Sequence, residues 1–166
     1  IVIGNGTNGY MQPEQTLDCG DSGTTARLML GAVCSNPIFC TFTGDKSLNK
    51  RPMTRVTDFL EKAGAEVTLT NKNYFPLTVN GSDEILPLIH TISKPSAQVK
   101  SALILAALNT MGKTTIIEKR KTRDHTEILL KYLDVKFQTK LINKRANKYI
   151  FEGPYEIKSK NIYVAG

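Results

Sequence analysis

The order helix, strand, helix, strand, strand runs through this chain twice, with corresponding elements roughly 73–75 residues apart. The first copy reads as a helix from about Ser22 to Cys34 and a strand over Phe39–Thr43. A second helix follows from near Met53, with Val56, Phe59, Leu60 and Ala63 at helical spacing and a stop at Gly64. Strands Glu66–Thr70 and Phe75–Val79 then form a hairpin closed by Asn80-Gly81. In the second copy a helix covers Ser96–Leu108, and Thr114–Glu118 is a strand of alternating β-branched residues. The helix Asp124–Leu133 sets Ile128, Leu129, Tyr132 and Leu133 on one face, and strands Val135–Thr139 and Tyr149–Glu152 close at Gly153. Residues 1–15 read as a strand end and a Gly/Asn/Pro-rich loop, and Ile157–Val164 as one more strand. Sequence similarity between the copies is low, so the repeat is one of architecture: an α/β (α+β) protein of repeated units.

The chemistry gathers where helices begin. In Leu17-Asp18-Cys19-Gly20-Asp21-Ser22-Gly23-Thr24-Thr25-Ala26-Arg27 a strand-like run gives way to a helix start rich in Ser, Thr and Asp, whose oxygens accept bonds from the first free N–H groups. Those N–H groups and the positive end of the helix dipole make an anion site. Gly23 would let an anion approach the backbone, and Arg27 adds a full charge one turn in. A capped turn would look the same, but the chain repeats the device at Lys94-Pro95-Ser96-Ala97-Gln98-Val99-Lys100, where Ser96, Gln98 and Lys100 surround a helix start. There the plain alternative is a cap with solvated polar residues. Lys46, Lys50 and Arg51 precede another helix, and Thr122-Arg123-Asp124-His125 opens the last. Met111-Gly112-Lys113-Thr114 resembles the end of a phosphate-binding P-loop, but it follows a helix and has Ala107 where the earlier Gly is required.

Composition narrows the partner. A net charge of +7, from 22 Lys and Arg against 15 Asp and Glu, favours anions. Aromatic residues are 7% of the chain, without Trp, and do not interleave with the basic stretches as base stacking on single strands requires. The longest apolar run, Ala102–Leu108, is too short to span a bilayer. Three cysteines (Cys19, Cys34, Cys40) without a CxxC or a nearby His argue against zinc and for reduced thiols in the cytoplasm. The opening Ile-Val-Ile-Gly-Asn-Gly has no initiating Met and no basic leader, so it is expected to be a strand and turn from within something longer. No Ser-His-Asp order, carboxylate pair or metal constellation stands out. The residues alone reach an α/β repeat protein with cationic helix starts suited to small phosphorylated anions.

Four stretches together resemble the 5-enolpyruvylshikimate-3-phosphate synthase family: Leu17 to Arg27, Gly44-Asp45 to Arg51-Pro52-Met53, Ser96-Ala97-Gln98-Val99-Lys100-Ser101-Ala102, and Thr122-Arg123-Asp124-His125-Thr126-Glu127. Their order and spacing match the family over nearly the whole chain, in wording similar to the second bacterial subclass. The resemblance implies a two-domain enzyme whose domains are inverse α/β barrels of βαβαββ units, helices inside and sheets outside. This chain would be a single enolpyruvyl transferase domain, 1–166. Residues 1–15 would be the tail of a first unit, 16–84 the second, 85–153 the third, and 154–166 a closing strand toward the remaining domain of the same enzyme.

The implied reaction moves the enolpyruvyl group of phosphoenolpyruvate to the 5-hydroxyl of shikimate 3-phosphate, in aromatic amino-acid biosynthesis, with neither a metal nor an organic cofactor. By matched motif, phosphoenolpyruvate would be held by Gly23 (through its backbone N–H), Arg27, Arg51 and Gln98. Shikimate 3-phosphate would be held by Ser96, Ala97, Gln98, Thr122 and Arg123. Arg suits bidentate binding of phosphate and carboxylate. Asp21 stands where the family usually has Asn, Thr122 where many relatives have Ser, and His125 where the other subclass has Tyr. Gly23, and not Ala, at the position linked to glyphosate tolerance implies a sensitive enzyme. The family's acid/base carboxylate and lysine belong to the other domain, so little or no turnover is expected from this chain alone, and no catalytic residue is assigned in it. Two alternatives are a relative acting on UDP-N-acetylglucosamine and a non-catalytic RNA-binding repeat module. The first uses a loop cysteine, which none of the three here resembles, and the second would show a steep dependence of affinity on salt.

Overall fold

The structure is a computed structural model that describes Gly6 and residues 9–163. The expectations for residues 1–5, 7, 8 and 164–166 lie outside the described residues. The first half runs β1 (Leu17–Asp18), α1 (Gly23–Cys34), β2 (Phe39–Thr43), a 3-10 turn (Leu48–Lys50), α2 (Thr54–Ala63), β3 (Glu66–Thr70) and β4 (Tyr74–Asn80). The second runs β5 (Ile89–Ile92), α3 (Ala97–Asn109), β6 (Gly112–Glu118), α4 (His125–Tyr132), β7 (Gln138–Asn143) and β8 (Ala146–Gly153).

The two halves make sheets of one topology. The order is β1-β2-β4-β3 in the first and β5-β6-β8-β7 in the second. In each, the leading pair is parallel and the rest antiparallel: Leu17 lies opposite Phe42 in one sheet, Ile89 opposite Thr115 in the other. A parallel pair needs a crossover, and α1 and α3 supply it.

Alternation fixes the faces of β4, where Phe75, Leu77 and Val79 are buried and their neighbours are not. Helices α1 and α3 sit between the sheets. α1 packs on α3 and on β4, α3 packs on β6 and β8, and α2 touches both central helices. α3 is buried nearly all round, from Val99 to Leu108, as its apolar run requires. The α1–α3 crossing is tight enough that a Cβ on Gly31 would fall 2.1 Å from the Ala102 carbonyl oxygen.

Helix ends follow from local chemistry. The hydroxyls of Ser22 and Ser96 accept from Thr25 N (3.1 Å) and Val99 N (3.3 Å) and cap α1 and α3. α2 and α4 end alike, on left-handed Gly64 (φ 109°) and Asp134 (φ 61°). The next residues, Ala65 and Val135, donate back to Leu60 and Leu130, a Schellman closure.

Three expectations need correction. Strand β7 starts at Gln138, three residues later than Val135. Val135 N–H is taken by the helix closure, and Phe137 stacks on Phe151 at 4.8 Å, so the ladder opens only after both are placed. On α4, Ile128, Leu129 and Tyr132 are exposed, while Glu127 and Leu130 face inward. The buried side of this helix is set by Lys100, an ionic partner that apolar spacing does not register. Residues 157–163 form no strand: Asn161 O accepts from Tyr132 Oη, and the Lys160 ammonium caps the Tyr132 carbonyl and pairs with Asp134. Their polar groups are met by the end of α4, and no ladder forms. Strand β5 went unread, being short and half polar (Ile-His-Thr-Ile).

Candidate functional site

The first turns of α1 and α3 lie side by side. Gln98, second residue of α3, donates through Nε2 to the hydroxyl of Thr24, second residue of α1, at 2.7 Å. Its Oε1 accepts from Arg27 Nη1 at 2.8 Å, so both ends of the amide are occupied and its orientation is fixed. Arg27 also donates to Gly23 O (3.2 Å) and Pro52 O (3.3 Å). Arg51 Nη2 donates to Ser47 Oγ at 3.1 Å, and Arg55 Nη2 to Lys94 O at 2.7 Å. Gly23 is where two of these arginines meet: a Cβ there would lie 2.7 Å from Arg27 Nη1 and 3.3 Å from Arg51 Nη1. Gly23 N–H donates to Asp21 O at 3.1 Å, a bond that a ligand on this group must displace.

Among the described residues none of the three arginines pairs with a carboxylate. Burial lowers the Arg27 pKa, and the charges of Arg55 and Arg51 lower it further; a guanidinium still keeps its proton. The result is concentrated positive charge that the protein leaves unneutralised.

Beside this cluster is a cavity of about 210 Å³. Its walls come from the starts of three helices: Thr24 of α1, Ala97 and Gln98 of α3, and His125 and Thr126 of α4. Leu28, Ser101 and Arg123 complete it, with the Ser101 and Thr126 hydroxyls 2.6 Å apart. Three helix dipoles present their positive ends to one space, an arrangement for binding anions. Thus Gly23, Arg27, Arg51 and Gln98 come together, and Ala97, Gln98 and Arg123 line the adjoining cavity. Ser96 and Thr122 do not line it. Ser96 Oγ caps α3, and the Thr122 hydroxyl donates to Glu118 Oε1.

That last bond leads to a buried ionic group. Lys100 is fully buried, which is rare for Lys unless paired. Its Nζ is 2.6 Å from Glu127 Oε1 and 3.2 Å from Glu118 Oε1, and lies 5.3 Å over the Tyr149 ring. The contact with Glu127 has ion-pair distance without hydrogen-bond alignment, and the Glu127 oxygens make no hydrogen bond. Tyr149 Oη donates to Glu118 Oε2 at 3.1 Å. Burial chiefly, then the Glu118 and Glu127 charges, push the Tyr149 hydroxyl above its ordinary pKa, against a hydrogen bond with Asn147, so it remains a donor. Glu118 Oε1 also accepts from Thr122 N at 2.9 Å. Lys100 is therefore no part of a solvated helix start. It ties α3 to the loop carrying Thr122 and Arg123 and to the first turn of α4.

Sequence reasoning missed Thr24, Ser101 and Thr126, and misread Lys100. Thr24 was available from the repeat, since it stands 74 residues before Gln98 at the same place in its helix. Lys100 sits inside a helix buried all round, where a charge must find a partner. Among the described residues no cluster of His, Cys, Asp or Glu could hold a metal ion, and no helix is long and apolar enough to cross a membrane.

Paired βαβαββ units with cationic helix starts define an enolpyruvyl-transferase type of fold. The solved enolpyruvyl transferase NikO from Streptomyces tendae shares that fold with a TM-score of 0.53 at 16% identity, over 78% of this chain and 30% of its own. The family is narrower. A family model described as EPSP synthase (3-phosphoshikimate 1-carboxyvinyltransferase) matches residues 1–166, and the chain belongs to that family. A relative from Novosphingobium aromaticivorans, named 3-phosphoshikimate 1-carboxyvinyltransferase, is 44% identical over 99% of this chain and 37% of its own length. One of the same name from Ruegeria sp. (strain TM1040) is 50% identical over 78% of this chain and 29% of its own. The solved EPSP synthase of Acinetobacter baumannii superposes with a TM-score of 0.82 at 32% identity, over 91% of this chain and 33% of that one. The chain thus spans about a third of the length of the relatives it matches.

Proposed function

We propose that this chain is a substrate-binding part of a 3-phosphoshikimate 1-carboxyvinyltransferase, which transfers the enolpyruvyl group of phosphoenolpyruvate to the 5-hydroxyl of shikimate 3-phosphate and releases phosphate. The observation that carries the reading is the carboxylate-free arginine cluster against Gly23, opening beside a cavity walled by three helix starts. Both substrates are phosphorylated anions, and such a site binds them without a metal.

In this reading Gly23, Arg27, Arg51 and Gln98 hold phosphoenolpyruvate. Ser96, Ala97, Gln98, Thr122 and Arg123 hold shikimate 3-phosphate, with the Ser96 and Thr122 hydroxyls turning from their present partners toward the ligand. Lys100, Glu118 and Glu127 position the loop and touch no ligand. The acid/base groups belong to the remaining domain of the same enzyme, which would also cover the exposed Ile128, Leu129 and Tyr132 of α4. Residues 16–84 and 85–153 are then successive units, flanked by 1–15 and 154–166. Unpaired, buried Cys19, Cys34 and Cys40 fit a reducing cytoplasm, and Gly23 fits sensitivity to glyphosate.

Calorimetric titration of the chain with shikimate 3-phosphate tests this, with UDP-N-acetylglucosamine and a short RNA alongside. Saturable binding of shikimate 3-phosphate alone, abolished by Gln98→Ala or Arg123→Ala, is the expected result. Binding of only the UDP-sugar or only the RNA would replace this reading with the corresponding one.

A further inference from the structure

A second concentration of charge lies outside the site just described. The loop after β6 contributes Lys119, Arg120 and Lys121, and the turn between β7 and β8 contributes Lys144 and Arg145. These five residues line a cavity of about 660 Å³ with no acidic and no aromatic residue among them. All five are exposed, and among the described residues none is in an ion pair.

The backbone beneath is held in place. Lys121 N donates to Arg145 O at 2.8 Å, and Arg145 N to Asn143 Oδ1 at 2.8 Å. Glu118 and Asn147, just inside the two loops, are paired in the β6–β8 ladder. The side chains are thus gathered by a fixed frame, although like charges repel and gain nothing from each other's company. Two Arg forks and three Lys point charges around one concavity can surround a compact anion on several sides.

We propose that this cavity is a second anion site, which takes a compact, multiply phosphorylated ligand of the di- or triphosphate class. Extended single-stranded nucleic acid fits less well, because its binding draws on aromatic platforms that this cavity lacks. The cavity shares no lining residue with the one at the helix starts. The proposal stands whether or not the enzymatic reading above does.

The test is calorimetric titration of the chain with inorganic tripolyphosphate at low salt, with orthophosphate and a short single-stranded RNA as parallel titrants. Amide shifts followed by NMR locate the binding. The variant Arg120→Ser/Arg145→Ser removes two charges from the cavity. Lys62→Ser/Lys72→Ser, exposed on the other half, removes two elsewhere, and circular dichroism checks that both variants fold. Saturable tripolyphosphate binding is expected, tighter than orthophosphate, with shifts centred on 119–121 and 143–146. Affinity should fall about tenfold or more in the cavity variant, the scale of one lost charge-assisted bond, and far less in the control variant. The proposal is overturned by absence of binding, by equal losses in both variants, by shifts centred on 23–27 and 97–98, or by RNA binding more tightly as its length grows.

Discussion

A methyl group at position 23 would press on the tip of Arg27, 2.7 Å away, and on that of Arg51 at 3.3 Å. Because each neighbour is the end of a flexible side chain, Gly23→Ala is expected to leave the melting temperature near its present value. Arg27 must move, however, and with it the 2.8 Å bond that orients Gln98. If the cluster holds phosphoenolpyruvate as proposed above, affinity for it, read by titration, should drop about tenfold, the equivalent of one charge-assisted bond. Lys100→Met has the opposite signature. It strands two buried carboxylates and should cost about 3–5 kcal/mol in urea unfolding, with much of the loss recovered when Glu118→Gln and Glu127→Gln are added. Burial pushes the Cys34 thiol from 9.0 up to about 12. Between those values the unfolded chain binds fewer protons than the folded one, so this contribution to stability is complete below pH 9 and fades as pH rises toward 12. Cys34→Ser, which keeps a donor for Gly31 O, should flatten that slope by up to about 1.4 kcal/mol per pH unit. At this scale the neighbourhood of Gly23 and Arg27 was legible, because helix-start chemistry is local. Arg51 and Gln98 joined it only through the family resemblance, since their contacts with Gly23 and Arg27 cross between elements. Lys100 was not legible, because its partners come from β6 and α4.

Element ends record their physics in single residues. Lys72 sits at φ 60° in the turn between β3 and β4, a conformation that strains residues with a Cβ. It is exposed, so Lys72→Gly should stabilise the chain by about 0.5–1 kcal/mol, measured by thermal or urea unfolding. Helix α2 was legible to its last residue, since Val56, Phe59, Leu60 and Ala63 are all buried and Gly64 supplies the left-handed stop. α4 was legible in extent but not in orientation. Asp134 does for it what Gly64 does for α2, yet a non-glycine stop gives a weak signal, and the strand after it was placed three residues early. The missed β5 shows the same limit, since four residues of mixed polarity carry too little alternation to be told from a loop.

The two halves are built to one plan down to their joints. A glycine near the end of each final strand, Gly81 and Gly153, lies against the carbonyls that finish α1 and α3. A Cβ there would come 2.2 Å from Asn36 O in the first half and 2.6 Å from Thr110 O in the second. The chain then bonds back to the same helix, Ser82 N to Cys34 O and Tyr155 N to Leu108 O. The recurrent order of elements made this topology readable even where residues do not match. What holds the halves together was hidden, because Gly31 looks like any helical glycine until Ala102 is seen against it. Gly31→Ala is expected to push α1 and α3 apart at a cost of about 1–3 kcal/mol or more. Both sheets should loosen together, read as faster hydrogen exchange at β4 and β8 amides.

The contact between Thr24 and Gln98 joins one position of the plan to its own counterpart in the other copy. With identical residues at the two positions, the seam would offer a ligand the same group twice and could not tell its left side from its right. A short hydroxyl on one side and a long amide on the other break that symmetry at the mouth of the cavity. The amide, locked by Arg27, gives the seam a direction. A surface drawn twice to one plan thereby distinguishes its two sides.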